Sequence, residues 1–150
     1  MIRKILAALD DSPRAPQVLD RAVMLAKAFD APIRLFHAVA VAQDFPAAAH
    51  ASYPDLLPRH LHDLATERLA SLVASHGAAT HGITCGVFVA ESHNAADAIL
   101  AEAQTFDASI IVIGSHRYGG VDRLLGTTTT RVVHRSTRDV LVVHGPFDRL

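Results

Sequence analysis

Four glycines and the hydroxyls of Ser115, Thr127 and Thr128 fall within one stretch, Gly114-Ser115-His116-Arg117-Tyr118-Gly119-Gly120-Val121-Asp122-Arg123-Leu124-Leu125-Gly126-Thr127-Thr128. The apolar run from Ala108 to Ile113 precedes it, and a helix is predicted to follow from Thr127 to His134. Glycine lets backbone approach an anion closely, and the first N–H groups of a helix have no internal partners and point outward. The chemistry this arrangement supports is phosphate binding. Asp10 and Asp11, closing an apolar run near the N-terminus, are the other polar pair of interest. Asp10 can accept from a ribose hydroxyl or ligate a phosphate-bound Mg²⁺. Asp11 reads instead as a solvated strand end that helps start the next helix.

Better-known chemistries do not fit. A Walker A loop needs Gly-x4-Gly-Lys and then Ser or Thr; Gly120 and Gly126 are one residue too far apart, and Thr127 stands where the lysine belongs. The dinucleotide fingerprint needs glycines at the first strand–helix turn, which here reads Leu9-Asp10-Asp11-Ser12. Ten histidines suggest a metal, but the spacing argues against it. His60 and His62 on a helix point roughly 200° apart, and His76 and His81 flank a turn without a supporting cysteine or carboxylate cluster. His37 and His144 lie in apolar runs and read as core or edge residues. His116 alone sits where a ligand contact is expected. No Gly-x-Ser-x-Gly elbow exists, and Cys85 lies in a predicted strand without cationic neighbours. By itself the glycine stretch also suits a plain flexible turn before a helix.

The elements that must position these residues are legible as alternating patterns. Strands are predicted at Ile5–Leu9, Ile33–Val41, Ile83–Ala90, Ile110–Ile113 and Val140–His144. The first, fourth and fifth are continuously apolar, as strands covered on both faces tend to be. Ser12-Pro13 predicts the start of a first helix, followed at helical spacing by Val18, Ala22, Leu25, Ala26 and Phe29. A second helix is expected from about Pro54 to His76, a third behind an Asn94 cap, and a fourth from Gly126-Thr127. The stretch from Val41 to Ser52 has no clear period and reads as a flap beside the site or a linker of small residues. Alternation of strand and helix implies one α/β domain, a parallel sheet with helices on both faces. Ligands of such sheets bind beyond the carboxyl ends of the strands, where the winding reverses. Asp10-Asp11 and Gly114-Ser115 occupy those ends.

Composition narrows the class. The chain has 150 residues, half of them apolar, and a formal charge of −1, which offers no field for nucleic acid or an anionic membrane. Lys4 and Lys27 are its two lysines, and the arginines are dispersed. One cysteine suits a reducing compartment, and no apolar stretch approaches the roughly 20 residues of a membrane span. A cytoplasmic location is the expectation.

The whole chain resembles a universal stress protein domain of the UspA type. The residues that carry the likeness are the opening Ile5-Leu6-Ala7-Ala8-Leu9-Asp10-Asp11-Ser12, the second strand Leu35-Phe36-His37-Ala38, Gly114-Ser115-His116 at the end of the fourth strand, and the closing Val140-Leu141-Val142-Val143. ATP-binding members carry Gly-x2-Gly-x9-Gly-Ser/Thr. Here Arg117 replaces the second glycine and the run to Gly126 is one residue shorter, a form that resembles a nucleotide-binding subgroup with Gly-Ser-His-Arg and Leu-Leu-Gly-Ser/Thr. The resemblance implies a Rossmann-like, five-stranded parallel sheet in the order 3-2-1-4-5 over residues 1–150. It implies ATP or ADP as a regulatory ligand, with Mg²⁺ as a companion ion. Ala8, Leu9 and Asp10 would line the adenosine, Ala38 would bond the adenine edge through its backbone, and Gly114, His116 and Arg117 would surround the ribose and α-phosphate. Gly126, Thr127 and Thr128 would hold the outer phosphates. A homodimer pairing along the Val140–Val143 edge is also implied. Two rival readings remain at this level: an enzyme hydrolysing or transferring the γ-phosphoryl group, and a dimeric interaction module whose pocket Arg117 blocks.

Overall fold

The computed structural model describes residues 1–40, 56–115 and 125–145. Their elements are β1 (Ile5–Ala8), α1 (Ala15–Phe29), β2 (Ile33–Ala40), α2 (Leu56–Ser75), the single turn α3 (Gly77–Thr80), β3 (Cys85–Ser92), α4 (Ala95–Thr105), β4 (Ile110–Gly114), α5 (Thr127–Arg135) and β5 (Asp139–Val143). All strands run parallel in the order β3-β2-β1-β4-β5, as the resemblance implied.

The central strand β1 reads Ile5-Leu6-Ala7-Ala8 without a polar residue because both of its faces are covered. Ile5 and Ala7 join a core with Val18, Leu19 and Ala22 of α1 and Ala65 and Leu69 of α2. Leu6 and Ala8 face the opposite core, with Ala96, Ile99 and Ala103 of α4 and Val132 of α5. Among the described residues two longer helices thus cover each face, with the turn α3 beside the first. The winding reverses between β1 and β4, so the carboxyl ends of these strands diverge into a crevice. On the second face Arg34 of β2 pairs with the buried Glu102 of α4 and lies 4.1 Å from the centre of the Phe106 ring. That contact fastens α4 to the sheet.

Some boundaries differ from expectation for identifiable reasons. Helix α1 begins at Ala15, two residues after Pro13. The Asp10 carboxylate accepts the Ser12 N–H at 3.0 Å, and the Ser12 hydroxyl accepts from the Arg14 N–H at 3.3 Å, which holds a turn ahead of the helix. Strand β3 starts at Cys85 and runs through Glu91 and Ser92, which pair with Val39 and Ala40. Ile83 precedes the strand, its N–H bonded to the Thr80 carbonyl in the turn after α3. The Asn94 cap is as expected: its side chain accepts from the N–H groups of Ala96 and Asp97. No described helix is long and apolar enough to cross a membrane.

Candidate functional site

A cavity of about 380 Å³ opens at the crevice. Its lining brings together Ala8, Leu9 and Asp10 from the end of β1, Ala38 from β2, Gly114 from β4, and Gly126, Thr127 and Thr128 from the start of α5. Eight of the ten residues singled out in the sequence therefore share one wall system. The other two, His116 and Arg117, lie outside the described residues, as does the stretch from Val41 to Ser52.

The floor is held by backbone bonds. Leu9 donates its N–H to the Phe36 carbonyl at 2.8 Å, and its own carbonyl lies 2.8 Å from His37 Nδ1. A carbonyl can only accept, so His37 carries a proton on Nδ1 and, when neutral, a lone pair on Nε2. Gly114 lies against α1: a Cβ there would come within 3.3 Å of Val18 Cγ2. The next residue, Ser115, donates its N–H to the Val143 carbonyl at 2.9 Å, and its hydroxyl meets Arg14 at 3.4 Å.

Two helix starts border the cavity, and they differ in kind. Helix α4 satisfies its own first N–H groups through Asn94, and so contributes shape through Ala95 and Ile99. Helix α5 starts at Thr127 behind Gly126, an N-cap residue that makes no side-chain cap bond, so among the described residues its first N–H groups and its positive dipole end are left for the cavity. Val18, Ile99, Ile113 and the alanines make the rest of the lining apolar, and Asp10 is the one carboxylate among the described lining residues. An apolar half beside an anion-seeking helix end can hold a flat ring at one side and phosphate at the other.

Residues the spacing did not single out also line this cavity: Val18, His37, Ala95, Ile99, Ile113 and Thr129. His37 reads as a core or edge residue in sequence, and only its contact with the Leu9 carbonyl brings it to the cavity wall. Asp11 takes a different part from the one expected. It pairs with Arg68 of α2 at 3.0 Å, in an exposed contact, rather than capping α1. His144 lies exposed just past β5, and His76 Nε2 is 3.4 Å from Asp20 at the meeting of α1 and α2. Among the described residues no group of three or more His, Cys, Asp or Glu could hold a metal ion.

A parallel sheet in this order, with a polar-ended cavity at the reversal, defines a Rossmann-like α/β protein. A family model described as the universal stress protein family matches residues 1–144, and the chain belongs to that family. Universal stress protein A homolog 1 of Coxiella burnetii is 29% identical over 146 residues, covering 94% of this chain and 95% of the relative. The solved UspA of Lactobacillus plantarum superposes with a TM-score of 0.75 at 20% identity, over 95% of this chain and 97% of that one. A universal stress protein solved in complex with cAMP superposes with a TM-score of 0.65 at 25% identity, over 95% and 97% of the two chains.

Proposed function

We propose that this protein binds an adenine nucleotide, ATP or ADP, as a regulatory ligand. The observation that carries the reading is the convergence of Ala8, Leu9, Asp10, Ala38, Gly114, Gly126, Thr127 and Thr128 on one cavity, from four separate elements. The adenine would lie against Ala8, Ile99 and Ile113 with its edge on the Ala38 backbone. Asp10 would accept from the ribose, and Gly114, His116 and Arg117 would lie about the ribose and first phosphate. Gly126, Thr127 and Thr128 would take the outer phosphates at the uncapped end of α5. The relative solved with cAMP supports an adenine ligand in this family. Mg²⁺ would enter on the phosphates, because Asp10 is a single carboxylate rather than a protein cage.

The nucleotide-bound form would be a homodimer. Strand β5 pairs with β4 on one side, and its sequence Asp139-Val140-Leu141-Val142-Val143 offers an apolar edge on the other. Analysis of the supernatant from heat-denatured, freshly purified protein tests the ligand. Co-purified ATP supports binding, ADP or AMP alone leaves turnover open, and no nucleotide together with no calorimetric binding of added ATP removes the proposal.

A further inference from the structure

Thr129 is 2% exposed, and its hydroxyl donates to the Gly114 carbonyl at 2.7 Å. The two residues are 15 apart in sequence and belong to different elements, the end of β4 and the first turn of α5. Both line the cavity. We infer that Thr129 is a positioning residue for the phosphate half of the site; the inference rests on the nucleotide reading above.

The physical case starts with the carbonyl. At the end of a parallel strand, beside a cavity that attracts anions, a free carbonyl oxygen is the wrong charge to present. Bonded to Thr129, the Gly114 oxygen is turned into the protein, and the uncapped N–H groups of α5 remain the polar groups offered to a phosphate. The same bond sets the distance between Gly114 and Gly126-Thr127, the two places where phosphate contacts are expected. Neighbouring ties reinforce the helix end: Thr130 donates its N–H to the Gly126 carbonyl at 2.8 Å, and its hydroxyl meets the Leu125 carbonyl at 3.4 Å. Gly114 would lie between the ribose and the first phosphate, and the described residues placed at the adenine are held by other bonds. Ala8 and Leu9 are set by the pairing of β1 with β2 and by the bonds at Leu9, and Ala38 by its pairing with Ala90 of β3.

Three variants separate positioning from bulk structure. Thr129→Val keeps the shape and removes the donor, Thr129→Ala removes both, and Thr129→Ser keeps the donor. Calorimetry with ATP and with adenosine then reads the ratio of the two affinities. Loss of one well-placed hydrogen bond corresponds to about a tenfold change, so ATP binding to the valine and alanine variants should weaken about tenfold while adenosine binding changes less than twofold. The serine variant should keep the wild-type ratio. Hydrogen exchange at the Ser115 amide gives a readout without ligand: faster in Thr129→Val, unchanged in Thr129→Ser. Equal losses for ATP and adenosine, or a serine variant as weak as the valine variant, would overturn the inference. So would valine and serine variants that match wild type in both measurements. A wild-type protein that binds neither ATP nor adenosine would instead remove the nucleotide reading on which the inference stands.

Discussion

The contact between Arg34 and Glu102 makes the strongest stability prediction, because its partners are unequally buried. The Glu102 side chain is 8% exposed and that of Arg34 is 31% exposed. Arg34 also lies 4.1 Å from the Phe106 ring centre and 5.6 Å from that of Phe88. Replacing Arg34 with Met keeps most of the apolar contact with the rings but leaves the Glu102 carboxylate buried beside them. Removing one partner of a fully buried pair costs about 3–5 kcal/mol; with Arg34 partly in water, roughly 2–3 kcal/mol is expected. For a chain of this length that is a fall in Tm of roughly 5–10 °C. Glu102→Gln should cost less, about 1 kcal/mol, because the amide still accepts a hydrogen bond and the guanidinium can turn toward solvent. The double variant Arg34→Met, Glu102→Met should recover most of the loss. Urea unfolding of wild type, Arg34→Met, Glu102→Met and the double variant, followed by circular dichroism, closes the cycle, with Glu102→Gln measured alongside. The reasoning fails if Arg34→Met costs no more than Glu102→Gln, or if the coupling energy is below about 0.5 kcal/mol.

Four further outcomes are expected. Asp10→Ala should weaken ATP binding by about 1–3 kcal/mol, and unchanged calorimetric affinity would mark Asp10 as a bystander. Asn94→Ala should lower stability by about 1 kcal/mol while Asn94→Asp stays near wild type, since the aspartate keeps the cap; equal thermal shifts for both would contradict the cap. Burial pushes the Cys85 thiol above its ordinary pKa, so iodoacetamide at pH 8 should modify it more slowly than free cysteine, and urea should erase the difference; mass spectrometry that finds equal rates in the folded protein would refute this. Val142→Pro, in the strand proposed to pair two copies, should give monomer or insoluble protein, and light scattering that finds an intact dimer would place the interface elsewhere.

Much of the architecture was legible in the sequence because its core is laid out in short, uninterrupted apolar runs. Ile5–Ala8 and Ile110–Gly114 are strands within a residue or two of expectation, since nothing polar competes inside them. The lining of the cavity was legible at Asp10 and at Gly126-Thr127, where hydroxyls and glycine follow a buried strand. What was missed depends on partners distant in sequence. His37 looks like a core histidine until the Leu9 carbonyl, 28 residues away, is placed beside its ring. Thr129 looks like one threonine in a run of four until Gly114 is brought against it. The turn α3 has only four residues, too few for any periodicity. At Ser12-Pro13 a genuine turn signal was read as a helix start, because a hydroxyl before proline fits both.

The order of the strands has a consequence for synthesis on the ribosome. β1 is made before the strands it pairs with and ends at the centre of the sheet, with Ile5 against Ile33 on one side and Ile110 on the other. The adjoining contact from the Arg3 N–H to the Ser109 hydroxyl spans 106 residues. While the first two-thirds of the chain emerges, β1 can pair with β2 and β2 with β3, but the β4 side of β1 stays open. An unpaired apolar strand edge is a template for joining other chains, and pairings this far apart in sequence form slowly. The nascent protein therefore passes through a stage in which its most buried strand is its most adhesive surface. Shelter by a chaperone matters most in the interval before β4 leaves the exit tunnel.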